Sequence, residues 1–113
     1  MHELVIVEGI LDVVLPEVRK TDAKKILAIR LRVGELSGIV PSCLHEYFSI
    51  ASKGTMAEGA ELILLPVPIR IHCPDCGEVS VITRGMDACP RCGGRRFRIT
   101  SGREYFVESV EAE

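Results

Sequence analysis

Cys73-Pro74-Asp75-Cys76-Gly77, answered after a spacer by Cys89-Pro90-Arg91-Cys92-Gly93, governs how this chain is built. Each half is a CPxCG knuckle. Two thiolates separated by two residues can share one metal ion if the turn between them is tight. Pro74 and Pro90 preset φ for such a turn, and Gly77 and Gly93 can adopt the positive φ that leaves it. Two knuckles supply four sulfurs, the set that suits tetrahedral Zn²⁺ with no open position. A single CxxC would read equally well as a redox pair. Two copies about a dozen residues apart read as a zinc site formed by Cys73, Cys76, Cys89 and Cys92. Closed tetrathiolate sites are structural, so the motif speaks to architecture more than to activity.

Working outward, 113 residues give room for one domain and a small satellite. Hydrophobic residues make up 47%, but aromatics only 4% with no Trp, so the core must be built from Ile, Leu and Val. The formal charge of -2 gives no global attraction to nucleic acid or acidic membranes. Four of the five cysteines belong to the knuckles, leaving Cys43 over. That is not a disulfide framework, and it places the chain in a reducing cytoplasm. The apolar run Leu4 to Leu15 is not preceded by a basic residue and is broken by Glu8 and Asp12, which argues against a signal peptide. No apolar stretch approaches the length of a membrane span.

Met1 to about Lys20 predicts a helix, with Leu4, Val7, Leu11, Val14, Leu15 and Val18 on the buried stripe. Acidic residues precede Arg19 and Lys20, the order the helix dipole favours. Pro16 predicts a kink or an early end. Lys25 to Val33 alternates as a strand, with Leu27, Ile29, Leu31 and Val33 on one face. A second helix is expected from Ser42, as N-cap, to Lys53, burying Leu44, Tyr47, Phe48 and Ala51. Glu61 to Ile71 reads as a second strand whose Pro66 and Pro68 place it at a sheet edge. After the knuckles, Arg103 to Val110 returns to a strand. This order predicts an α+β fold: two helices packed on a three-stranded sheet, with an inserted zinc-ribbon-like module of four cysteines. The expected division is residues 1–71 with 100–113 as one domain, and residues 72–99 as the zinc-binding domain.

The opening Met1-His2-Glu3 is a competent chelate. The α-amine and the His2 amide nitrogen close a five-membered ring on a metal, and the His2 imidazole closes a six-membered ring with the same amide. Glu3 can add a fourth donor through its backbone amide or its carboxylate. Such a set suits square-planar Ni²⁺ or Cu²⁺, and the first amides of a helix have no intrahelical partner to lose. On spacing alone this remains one option beside an accidental Met-His start. His45 reads as a solvated residue of the second helix. His72, beside Cys73, reads as a bystander while four cysteines are available. Cys43 reads as a small buried hydrophobe. Arg84, Arg91, Arg95, Arg96, Arg98 and Arg103 make the knuckle region basic, either as a solvated face, a surface for an acidic protein, or a nucleic-acid contact with Phe97 as its one stacking partner.

Several of these residues, taken together, resemble one known family. They are Met1-His2-Glu3, Arg32-Val33-Gly34-Glu35, Glu58-Gly59-Ala60-Glu61-Leu62, the paired CPxCG knuckles, and Ser101-Gly102 before an acidic-tailed strand. The chain is similar over its whole length to HypA/HybF, the nickel metallochaperones of [NiFe]-hydrogenase maturation. The resemblance implies a binding protein and not an enzyme. It implies Ni(II) as cargo, held through His2 with Met1 and Glu3 assisting, and structural Zn(II) on Cys73, Cys76, Cys89 and Cys92. It further implies delivery with a GTPase of the HypB type to the hydrogenase large subunit and, in some organisms, to urease with its accessory proteins. The competing readings are a zinc-ribbon nucleic-acid or protein-binding module and a rubredoxin-like electron carrier. Neither explains the α+β domain that precedes the knuckles. An iron tetrathiolate would be red and a zinc one colourless.

Overall fold

The computed structural model describes residues 2–113. Its elements are α1 (Glu3–Arg19), β1 (Ile26–Gly34), α2 (Pro41–Ala51), β2 (Glu61–Val67), β3 (Ile69–His72), β4 (Val79–Ile82), β5 (Arg98–Ser101) and β6 (Tyr105–Ala112). They form two helices and two three-stranded sheets, ordered β2-β1-β6 and β4-β3-β5, in the α+β class that the sequence predicts. The chain divides into two compact units. One takes in the chain up to Leu31, Gly38–Leu65 and Phe106–Glu113; the other takes in Arg32–Ser37 and Pro66–Tyr105.

In the first unit α1 packs on α2. The buried residues of α1 are Glu3, Ile6, Val7, Ile10, Leu11, Val14 and Val18, spaced three and four apart as a helix stripe requires. Leu4, expected in that stripe, is instead 40% exposed. Packing of α1 on α2 turns Ile6 and Ile10 inward, and Leu4 lies about 100° around the helix from that stripe. Pro16 does not end α1, which runs on to Arg19. The proline lies on the exposed side, where water can take up the carbonyl it leaves without a partner.

β1 is the middle strand of its sheet, and it buries Ile26, Ala28, Ile29 and Leu31. Cover on both faces explains why its burial does not follow the simple alternation expected of it. Lys25 and Glu113 exchange both backbone hydrogen bonds, at 2.9 and 3.1 Å, the pattern of an antiparallel pair.

The second helix begins one residue before the expected N-cap. Val40 is the cap, Pro41 occupies the first turn, and no cap side chain bonds the helix end. Packing of Leu44 and Phe48 therefore carries α2. Each contributes about 1.5–3 kcal/mol when fully buried, against about 1 kcal/mol for a good cap. Tyr47, expected inward, is 39% exposed.

The run Glu61 to Ile71 proves to be two strands. Residue 68 is a proline without a donor, and the chain leaves the first sheet there and enters the second at Ile69. β2 is an edge strand, as Pro66 requires. β3 pairs antiparallel with β4 (Ile71 opposite Ser80) and with β5 (Ile71 opposite Ile99), with a register shift at Arg70/Ile71 on the β5 side. Ile69, Ile71, Ile82, Cys73 and Cys89 form the core here, with Leu36, Phe97 and Ile99 packed against it. Gly34 and Gly102 meet backbone to backbone. A Cβ at Gly34 would lie 2.1 Å from the Gly102 oxygen, so only glycine fits.

Candidate metal centre

The two knuckles are built alike. The Gly77 amide donates to the Cys73 carbonyl at 2.7 Å, and the Gly93 amide donates to the Cys89 carbonyl at 2.8 Å. The amides of Cys73 and Cys89 donate in turn to the carbonyls of Glu78 and Gly94. Gly77 and Gly93 have φ of 73° and 77°, the conformation their positions demand. Each turn thus closes on its own backbone and points its sulfurs to one side.

All four sulfurs lie within 4.8 Å of one another. Cys73 Sγ is 3.6 Å from Cys92 Sγ, and Cys76 Sγ is 3.8 Å from Cys89 Sγ. Those separations are far too long for disulfides, which need about 2.05 Å. Four sulfurs at about 2.3 Å from one tetrahedral ion would be about 3.8 Å apart. The donor set therefore fits a single tetrahedral metal. Cys73 and Cys89 are buried, Cys76 is half-buried and Cys92 is exposed, so the centre opens to solvent at one corner.

The thiols are not equivalent. The amides of Arg91 and Cys92 donate to Cys89 and bring its pKa down to about 7. At Cys92 the Gly94 amide pulls the same way, but hydrogen bonding with Cys73, together with burial, outweighs it and pushes the pKa up to about 12. At Cys76 the Glu78 amide also favours the thiolate, and burial with the Cys89 and Cys73 contacts again outweighs it. Four negative charges so close together need a cation to share them. Metal binding here must release protons.

Around the sulfurs lies a polar contact that the sequence reading did not single out. Arg96 Nη2 donates to Asp75 Oδ1 at 2.5 Å, joining the first knuckle to the segment that follows the second. The Asp75 carboxylate, and secondarily Cys73, hold the Arg96 guanidinium more firmly protonated than usual. Arg84 donates to the Glu35 carbonyl at 3.1 Å, and Arg95 lies 3.8 Å from Asp87. Three arginines of the basic cluster are thus occupied within the chain, which weakens the nucleic-acid reading. Only pairing across 21 positions reveals the Asp75–Arg96 link, and local sequence carries no sign of it.

His2 is the exposed N-cap of α1, and Glu3 is the first residue of that helix. Met1 lies outside the described residues. Glu3 is 7% exposed, and its Oε2 accepts the Val40 amide at 3.1 Å. That hydrogen bond is the main reason its carboxyl sits below the usual carboxylate range. One carboxylate oxygen is therefore engaged by Val40, and the Glu3 backbone amide also donates to this carboxylate. His45 is exposed on α2, Cys43 is half-buried on the same helix, and His72 ends β3. None of the three joins the four-sulfur group, which is the one metal-ligating cluster of three or more such residues among the described residues.

An α+β chain with a self-closing tetrathiolate unit defines a small metal-binding protein. Comparison with known proteins narrows the class. Residues 1–112 match the family described as hydrogenase/urease nickel incorporation, metallochaperone, HypA. The chain belongs to the HypA family. It is 37% identical over 114 residues to hydrogenase maturation factor HypA of Caldanaerobacter subterraneus subsp. tengcongensis, covering 100% of both chains. It is 34% identical over 113 residues to the factor of the same name from Acidithiobacillus ferrooxidans, again covering 100% of both. Among solved structures it resembles the solution structure of the Ni metallochaperone HypA from Helicobacter pylori. There the TM-score is 0.67 at 23% identity, over 99% of this chain and 97% of that one. A second HypA solution structure matches with a TM-score of 0.74 at 23% identity, over 100% and 97%. These two likenesses concern the fold.

Proposed function

We propose that this chain is a cytoplasmic nickel metallochaperone of [NiFe]-hydrogenase maturation, with urease as a second client in organisms that make one, and that it is a carrier and not an enzyme. The observation that carries the reading is the family match across residues 1–112. Its cargo is Ni(II), taken up at the start of the chain. The His2 imidazole and amide are the principal donors, with the Met1 amine and the Glu3 backbone amide completing the set. Zn(II) on Cys73, Cys76, Cys89 and Cys92 has no open position and serves as a structural pin. The chain's own part in that centre is to present the four sulfurs from two backbone-closed turns. Nickel passes onward with a GTPase of the HypB type to the hydrogenase large subunit. No helix among the described residues is long and apolar enough to cross a membrane.

Calorimetric nickel titration of the untagged protein against His2→Ala tests the cargo site. The native chain should bind one Ni(II), and the variant should lose most of that affinity while keeping its zinc and its helicity. Equal affinity in the two proteins would place the site elsewhere.

A further inference from the structure

We propose that Asp75, Gly94 and Arg96 form a brace across the two knuckles that governs how fast zinc leaves the tetrathiolate. The inference rests on the zinc reading of that site and goes beyond it. Asp75 lies inside the first knuckle, between Cys73 and Cys76. Its carboxylate reaches across to the second. A Cβ built on Gly94 would lie 2.6 Å from Asp75 Oδ2 and 3.3 Å from Cys92 Sγ. One carboxylate oxygen therefore rests against the backbone just beyond Cys92, and glycine leaves the room. The other oxygen accepts from Arg96 Nη2 at 2.5 Å. The Gly94 amide donates to Cys92 Sγ at 3.4 Å, so the same short segment carries both the sulfur contact and the carboxylate contact.

The location is what gives a weak contact leverage. Cys73 and Cys89 are buried, and Cys92 is the exposed ligand. A chelator must begin at Cys92, and for its sulfur to swing out the Gly94 segment must peel from the first knuckle. The brace closes that route. Arg96 is 79% exposed, and an exposed ion pair is worth little to overall stability. Its influence falls on the opening step. Sign matters as well. Four thiolates and Zn²⁺ leave a net negative centre, and Asp75 adds to that charge unless Arg96 offsets it. Loss of Arg96 strands a carboxylate beside the thiolates, which is worse than loss of the whole pair.

The test is stopped-flow zinc transfer from the full-length protein to the chromophoric chelator 4-(2-pyridylazo)resorcinol. Zinc content is fixed beforehand by elemental analysis. Arg96→Ala should release zinc about fivefold faster than the native chain, the upper range for an exposed pair. The double variant Asp75→Asn with Arg96→Ala should release it more slowly than Arg96→Ala alone, because the stranded charge is gone. In the native chain 1 M NaCl should raise the rate toward that of Arg96→Ala, a measurement that needs no substitution. Equal rates for the native chain and Arg96→Ala, or a double variant that releases zinc as fast as Arg96→Ala or faster, would overturn the brace and leave the zinc site standing. A native chain that purifies without zinc would overturn both.

Discussion

Replacing Gly34 with alanine should open the β1 end of the second unit. A Cβ there would lie 2.1 Å from the Gly102 oxygen, 2.4 Å from the Gly102 carbonyl carbon and 2.8 Å from the Glu104 oxygen. All three atoms are backbone, so no rotamer can relieve the clash. The Gly102–Glu104 segment must withdraw, and two hydrogen bonds go with it. These are the Gly34 amide to the Glu104 oxygen and the Leu36 amide to the Gly102 oxygen, each 2.7 Å. Two backbone bonds at about 0.5–1.5 kcal/mol each and about 1–3 kcal/mol for overpacking sum to roughly 2–6 kcal/mol. The entropy advantage of alanine over glycine returns about 0.5–1 kcal/mol. A net loss of about 3 kcal/mol corresponds to about two orders of magnitude in local opening. Native-state hydrogen exchange at the Leu36 amide, measured with zinc bound, reads that opening directly. Gly9→Ala is the control. Nothing lies within 4 Å of its added Cβ, and it sits inside α1, where alanine should stabilise by about 1 kcal/mol. Leu36 exchange in Gly34→Ala within threefold of the native rate would refute the reasoning.

Extending the chain by a few residues ahead of Met1 converts the amine to a peptide nitrogen. Nickel affinity should then fall sharply with zinc content unchanged, and titration giving equal affinity would remove the amine from the donor set. Glu3→Gln should leave nickel affinity within about threefold, because the backbone amide is the proposed donor; a tenfold loss would return the carboxylate to the ligand set. The same substitution carries a pH signature. The Glu3 carboxyl is held below its usual value by the Val40 amide. Its stabilisation is therefore complete above about pH 4.5 and disappears as pH falls through the lower native value. Thermal melts of native and Glu3→Gln protein should differ at pH 7 and converge in acid, and a constant gap would speak against the contact. Cys73→Ser should abolish zinc retention and disorder the second unit while helical circular dichroism persists; a Cys73→Ser protein retaining one zinc would break the tetrathiolate assignment.

What could be read from sequence was local or periodic. The knuckles announced themselves because proline, cysteine and glycine occupy fixed places in one turn, and both turns close on their own backbone. The helices and strands β1, β2 and β6 followed from apolar spacing, β3 was read as a continuation of β2, and β4 and β5 did not figure in the sequence reading. Errors arose where tertiary contact chose between similar local patterns. Leu4 and Ile6 are equally apolar, and only packing of α1 on the rest of its unit tells which one faces inward. Pro66 and Pro68 both suggested an edge strand, yet only the second is where the chain changes sheets. Gly34 and Gly102 entered the sequence reading as parts of family motifs with no physical reason attached. The structure supplies one for each, since Gly34 sits where the Gly102 backbone passes, and Gly102 has a φ of 116° and sits against Ile69 and Pro68. The links Asp75 to Arg96 and Glu3 to Val40 span 21 and 37 positions, beyond the reach of any pattern.

The bond from the Val40 amide to Glu3 has a mechanical meaning. It moors the first turn of α1 to the N-cap of α2. An ion bound as proposed, on the His2 and Glu3 backbone, would pull against that mooring, and Val40 would feel the strain. On that proposal the protein would carry a gauge of its own loading. One amide resonance, on a residue that is no part of the proposed chelate, should shift as cargo arrives and return as it departs.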